Sequence, residues 1–182
     1  KPDADETQVR YAHGEIVESS RVLESSGDIR ELDCIKNGSS IVVDQGSQLI
    51  VKSIPLKETD LVLDLCSAPG GKSFMMATRA AHVVANDVVL SRMSKLIDTK
   101  TRTKINNVSA IVSDATVSCF EDEVFDVVLV DAPCSGLGVL RRRPDARNGI
   151  DESIIKELFE LQKTILDEAI KTVKPGGLLV FS

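Results

Sequence analysis

No apolar run in this chain of 182 residues approaches the roughly 20 that a membrane helix needs, so no spanning helix is expected. The first ten residues, Lys1 to Arg10, are polar and charged and resemble neither a secretory signal nor an anchor. The four cysteines, Cys34, Cys66, Cys119 and Cys134, form no CxxC pair and have no histidine partner at metal-ligand spacing. No metal site is therefore expected, and free thiols in a reducing compartment are. Cations are short: 22 Lys and Arg face 28 Asp and Glu, for a net charge of −6. Phosphate contacts need clustered Lys and Arg, so this balance argues against a free-standing nucleic-acid binder. Internal repeats and low-complexity segments are also missing. Together these absences imply a soluble intracellular protein.

What remains is globular usage, 42% hydrophobic and 27% charged, in a length that suits one domain. A chain of this size buries about 70% of its unfolded surface on folding, enough for a sizeable core. Residues 1–40 form a poorly legible lead-in, with short apolar pieces such as Ile16-Val17 and Val22-Leu23 among Ser, Glu and Gly. From 41 to 182 the pattern is regular. Apolar runs of strand length recur over 61–65, 83–85, 110–112, 124–130 and 178–181, separated by helix-compatible sequence. Between 151 and 174 the residues Ile155, Leu158, Phe159, Leu166, Ile170 and Val173 recur at helical spacing. Asp151 is the expected N-cap of that helix and Pro175-Gly176-Gly177 its stop. Helices are also expected over 46–54 and 90–103. Strands alternating with helices predict an α/β fold with a doubly wound, mostly parallel sheet.

In such a sheet the ligand lies beyond the carboxyl ends of the strands, where the strand order reverses. Four carboxylates mark those ends: Asp64, Asp87, Asp114 and Asp131. One such Asp is an ordinary turn former, but four at one edge suggest a site. The first strand runs through Asp64-Leu65-Cys66-Ser67-Ala68-Pro69-Gly70-Gly71-Lys72-Ser73 into a helix start. Small residues allow a ligand close to the backbone. With Gly71-Lys72-Ser73 as its triplet, a P-loop needs Gly at position 66, which is Cys66. A dinucleotide fingerprint needs spaced glycines, and this loop has only the adjacent Gly70 and Gly71. A compact amino-acid-like group fits better, with Asp87 accepting from ribose hydroxyls and Asp114 from an adenine amine. Carboxylates suit such donors and repel a phosphate-rich ligand. S-adenosylmethionine, cationic and free of phosphate, meets that requirement.

The loop resembles the form Asp-x-Cys-Ala-Ala-Pro-Gly-Gly-Lys-Ser/Thr of the NOL1/NOP2/Sun family of RNA cytosine-C5 methyltransferases, with Ser67 in place of an Ala. A second stretch, Asp131-Ala132-Pro133-Cys134-Ser135-Gly136 followed by Leu137-Gly138-Val139-Leu140-Arg141-Arg142-Arg143-Pro144-Asp145, is similar to the bacterial ribosomal, Sun-like branch. Asp44-Gln45-Gly46-Ser47-Gln48-Leu49 resembles the family's opening motif, although Val43 stands where Gln is usual. Asn148 sits where that branch often has Trp. The resemblance covers about residues 40–182 and implies a Rossmann-like class I methyltransferase fold, truncated after its fifth strand.

The resemblance implies a cofactor site of Cys66, Ser67, Ala68, Pro69, Gly70, Gly71, Lys72, Asp87, Asp114 and Asp131 for S-adenosyl-L-methionine. It also implies covalent catalysis, because cytosine C5 is too electron-poor to be methylated directly. A cysteine thiolate adds to C6, C5 takes the methyl group from the sulfonium, and a base then removes the C5 proton as the C6–S bond breaks and the enzyme thiol departs. In the family the nucleophile belongs to a Thr-Cys-Ser motif after the fifth strand, and Cys134 corresponds to the cysteine that assists release. The chain stops at Ser182, ahead of that motif, so it is expected to bind cofactor without turnover. Asp131 is placed to accept from the cytosine amine or share a proton with N3, and Lys72 to orient Asp131 or the base. Arg141, Arg142 and Arg143 are expected to meet RNA phosphates, the RNA being ribosomal. The run containing Arg92, Lys95, Lys100, Arg102 and Lys104 is a second basic candidate.

Two rivals stand beside this reading. Amino-group methyltransferases place Asn/Asp-Pro-Pro-aromatic after the same strand, to stack a flipped base, but here Cys134 holds the aromatic position. A cofactor-binding scaffold without catalysis is the other. Residues 178–181 are expected to form an apolar sheet edge.

Overall fold

The computed structural model describes residues 10–13, 17, 20–25, 28–134 and 152–182. The lead-in carries two short strands, β1 (Arg10–His13) and β2 (Arg21–Ser25), paired antiparallel in a sheet of their own, then a 3-10 turn and the one-turn helix α1 (Asp33–Lys36). Helix α2 (Gln45–Ser53) follows, starting where the Asp44 carboxylate accepts from the Gly46 amide at 2.9 Å. After it come β3 (Leu61–Asp64), α3 (Gly71–Ala77), β4 (His82–Asn86), α4 (Leu90–Thr103), β5 (Val108–Ile111), β6 (Phe125–Val130), α5 (Glu152–Thr172) and β7 (Val173–Phe181). The five later strands lie in the order β5-β4-β3-β6-β7, every neighbouring pair parallel. The chain builds outward from β3 through β4 to β5, then crosses to β6 on the opposite side of β3, so the reversal lies between β3 and β6.

Alternation along the strands separates two cores. Val62, Val83, Ala85 and Leu129 face one side and pack with Val51 and Ile54, with Phe74 and Met76 of α3, and with Met93 and Leu96 of α4. Leu63, Val128 and Val130 face the other and pack with Ile165 and Ala169 of α5. Helices thus cover both faces, as the apolar runs without polar alternation imply. Each fully buried Val, Leu or Phe among them contributes about 1.5–3 kcal/mol through area removed from water.

The boundary after the long helix differs from the sequence expectation. The helix ends at Thr172, not Lys174, and Pro175-Gly176-Gly177 lies inside β7 and does not precede it. Val173 already pairs with Phe125, and the register then shifts before Val127 meets Leu178, so the extra residues bulge out of the ladder. Pro175 has no amide to offer, Gly176 takes a left-handed φ of 79°, and a Cβ on Gly177 would sit 2.9 Å from the Asp126 carbonyl oxygen. Lys174 leaves the expected helix to pair with Asp126 at 2.7 Å. β7 is the last strand of the order, with Leu178, Leu179 and Val180 half-buried and Phe181 exposed.

The second basic candidate dissolves into architecture at two of its members. Arg102 donates to the carbonyls of Ile35 and Ser40 and so ties the lead-in to the end of α4, while Arg92 turns toward the glycine loop. Arg141, Arg142, Arg143, the proposed N-cap Asp151 and the rest of the second motif beyond Cys134 lie outside the described residues. Among the described residues, no helix is long and apolar enough to cross a membrane.

Candidate active site at the reversal of strand order

Asp64 ends β3 and is completely buried. Its Oδ2 accepts from the Ser73 hydroxyl at 2.6 Å, fastening the strand end to α3, while Oδ1 has no partner among the described residues. Burial, reinforced by the nearby Asp131 and Asp87 and opposed by Ser73 and Lys72, pushes its carboxyl up to about 7. Between Asp64 and α3 the loop turns back on itself. Ser67 donates its amide to Asn86 O at 2.8 Å, Gly70 its amide to Ser67 O at 2.8 Å, and the Ala68-Pro69 peptide is cis.

Gly70 is the one position in the loop where only glycine serves. Its φ is 103°, and a Cβ there would lie 2.8 Å from the Phe74 ring and 2.9 Å from Leu96 Cγ. The backbone is thereby pressed onto the first core.

Asp87, just past β4, is only 3% exposed. Its Oδ2 accepts from the Ala68 amide at 3.1 Å and its Oδ1 from the Val89 amide at 3.0 Å. Arg92 stands 3.6 Å from Oδ2 and donates to the Ala68 carbonyl, so acid and cation hold the two peptide groups of one residue, Ala68. Across the switch point, Lys72 at the start of α3 forms an ion pair with Asp131 after β6; the lysine side chain is 12% exposed and the aspartate 37%. Asp114 behaves differently. It is exposed, and its Oδ1 accepts from both the amide (2.9 Å) and the hydroxyl (2.7 Å) of Thr116, bonds that hold its carboxyl below the usual range. Asp114 shares the lining of one shallow depression with Leu65, Ser113, Cys119 and Phe120.

All four strand-end acids thus stand at one edge of the sheet, and three of them, Asp64, Asp87 and Asp131, are close enough to the loop to act on Cys66. Burial first, and then those three charges, push the Cys66 thiol up to about 12. It stays protonated at neutral pH and cannot serve as a thiolate nucleophile. Cys134 lies exposed two residues beyond the Ala132 amide, which donates to the Ser182 carbonyl at 3.1 Å, and Gln162 of α5 steadies the neighbouring Pro133 carbonyl at 2.7 Å. Among the described residues no cluster of His, Cys, Asp or Glu is arranged to hold a metal. Sequence reasoning counted Asp64 among the strand-end acids without giving it a role of its own, placed Arg92 in a basic run and not beside the loop, and passed over Asn86. A carboxylate and a carboxamide inside apolar strands were the available signals.

Residues 51–182 match the family 16S rRNA methyltransferase RsmB/F. The chain belongs to the RsmB/F family. It is 34% identical over 179 residues to the probable ribosomal RNA small subunit methyltransferase B of Bacillus subtilis (strain 168), covering 96% of this chain and 40% of that protein. The ribosomal RNA small subunit methyltransferase B of Vibrio cholerae is 34% identical over 169 residues, 91% of this chain and 39% of that one. The chain therefore spans about two fifths of the length of these RsmB/F relatives. Among solved structures, that of PH0851 superposes with a TM-score of 0.91 at 31% identity, covering 97% of this chain and 41% of that one. NSun6 from Pyrococcus horikoshii with SFG gives 0.75 at 26% identity, covering 90% and 45%. The RsmB/F chain has the Rossmann-like fold of S-adenosylmethionine-dependent methyltransferases, as its sheet order implies.

Proposed function

We propose that this chain is the cofactor-binding part of a methyltransferase that modifies cytosine C5 in small-subunit ribosomal RNA in the cytoplasm. The carrying observation is the Lys72–Asp131 ion pair at the β3/β6 reversal, beside a glycine loop that packs directly on Phe74 and Leu96 at Gly70.

The residues present suit S-adenosylmethionine. The carboxylates of Asp87 and Asp131 beside the loop disfavour phosphate and suit a cation, and the missing Cβ at Gly70 lets the loop backbone pack down on Phe74 and Leu96. Residues 66–72, Asp87, Asp114 and Asp131 would hold it. The cofactor supplies an electrophilic methyl group on a sulfonium centre. Asp131 accepts from the base amine or shares a proton at N3, drawing electron density from C6. Lys72 keeps Asp131 aimed and compensates its charge. Cys134, exposed at the mouth, takes part in release of the methylated base. RNA phosphates are assigned to Arg141, Arg142 and Arg143. Residues 1–40 act as a lead-in, and 41–182 as the methyltransferase domain.

Two measurements test this reading. Calorimetric titration of the chain with S-adenosylmethionine should give one site, weakened in Asp87→Ala and Asp114→Ala; absence of heat removes the cofactor assignment. In a longer protein that carries this chain and supplies the Thr-Cys-Ser motif, Cys134→Ala should bind cofactor normally yet retain RNA as a denaturant-stable adduct. Unhindered release of 5-methylcytosine RNA by that variant would take Cys134 out of the reaction.

A further inference from the structure

Asn86, the last residue of β4, is a carboxamide in an apolar strand with no exposed surface. Its Nδ2 donates to the Leu65 carbonyl at 3.1 Å and to the Ser113 carbonyl at 3.2 Å, and its Oδ1 accepts from the Ser113 hydroxyl at 2.7 Å. That hydroxyl in turn accepts from the Cys119 thiol at 3.2 Å, so its proton is directed at Asn86. The Asn86 main-chain oxygen accepts from Ser67, as described above. An amide carries two donors and an acceptor, and here all three are used. What matters is where they go. Leu65 and Ser67 bracket the start of the glycine loop, Ser113 immediately precedes Asp114, and Asp87 is the residue next to Asn86 itself. One buried side chain therefore bonds the tip of β4 to the tips of β3 and β5, beside Asp87, Asp64 and Asp114 respectively.

We propose that Asn86 is a positioning residue that sets the spacing between the glycine loop and the Asp114 segment, with Asp87 held between them. The ladder alone does not do this: β4 pairs with β3 only as far as Ala85 and with β5 as far as Asn86. Beyond those residues single backbone bonds remain, from the Ser67 amide to the Asn86 carbonyl at 2.8 Å and from the Asp87 amide to the Ile111 carbonyl at 3.3 Å, and the carboxamide adds three side-chain cross-links to them. A ligand touching both loop and Asp114 needs them at a fixed separation; a ligand touching one does not. Asn86 acts through backbone carbonyls, a hydroxyl and its neighbour, so it need not touch the ligand.

The inference rests on the cofactor reading above and is tested on the full chain by calorimetry with S-adenosylmethionine. Asn86→Ala should weaken binding about tenfold or more, the loss expected when several buried hydrogen bonds that preorganise a site are removed together. The cost of Asp114→Ala should shrink in the Asn86→Ala background, a coupling that a purely structural residue would not produce. In the ligand-free protein, amides of residues 65–70 and 113–117 should exchange faster while those of β3 and β6 stay protected. Ser113→Ala, which deletes only the hydroxyl bond, should weaken binding a few-fold and Ser113→Thr should restore it; this pair carries the test if Asn86→Ala does not fold. Affinity within twofold of the unaltered chain for Asn86→Ala, full additivity with Asp114→Ala, or an unaffected Ser113→Ala each overturns the proposal. No binding by the unaltered chain overturns the cofactor reading, and this proposal with it.

Discussion

Asp87 and Asp114 follow adjacent parallel strands at the same edge of the sheet, and their surroundings are opposite. Asp87 is buried, with each oxygen accepting from a backbone amide, one of them 19 residues away in the glycine loop. Asp114 is exposed and closes a local turn on Thr116. The same residue type at equivalent topological positions therefore carries two kinds of work: Asp87 builds the loop that would bind a ligand, whereas Asp114 can meet a ligand without holding up anything else.

The comparison is broken most forcefully through the loop that Asp87 supports. Gly70→Ala forces a Cβ into Phe74 and Leu96 at a left-handed φ. It should cost about 2–5 kcal/mol in denaturant unfolding, as the sum of backbone strain and overpacking. A loss below about 1 kcal/mol, near that of a surface change, would mean that the loop yields and is not pressed against the core. Next in size, Asp87→Ala should lower stability by about 1–3 kcal/mol because two buried amides lose their acceptor. Asp114→Ala should stay within about 0.5 kcal/mol of the parent while still weakening cofactor binding. Equal stability losses would erase the distinction.

A pH series sharpens the comparison on the buried side. Asp64, pushed up to about 7 by burial, keeps its proton in the folded chain where the unfolded chain, near about 4, has released it. The folded state then binds more protons, so stability declines as pH rises between those two values and levels off above. Asp64→Asn removes that slope, and its melting temperature relative to the parent should rise from pH 5 to pH 8; a difference independent of pH would show that burial does not hold the proton. Smallest of all, Arg92→Ala should weaken cofactor binding only a few-fold. Arg92 is half-exposed, and its pairing with Asp87 is correspondingly screened.

Much of this was legible in the sequence because it is encoded locally. The span of α4 is the one expected over 90–103, and glycine and proline punctuation locates the loop after β3. Short apolar runs locate all five strands of the parallel sheet, four of them with ends off by a residue or two. The exception, β7, is instructive: Pro175-Gly176-Gly177 reads as a terminator, yet pairing of Val173 with Phe125 draws it into the ladder as a bulge. Propensity is a preference of a few tenths to a few kcal/mol, and a tertiary partner can outweigh it.

By itself, then, the sequence determined the element types, the place of the bend and the four acids at strand ends, since each depends on residues close along the chain. Only the tertiary structure decided which acids are buried, that Lys72 reaches Asp131 across 59 positions, and that Asn86 joins three strand tips. Those contacts exist because β6 returns beside β3 and β5 lies beside β4. Burial and partner choice are properties of that packing and have no signature in local spacing.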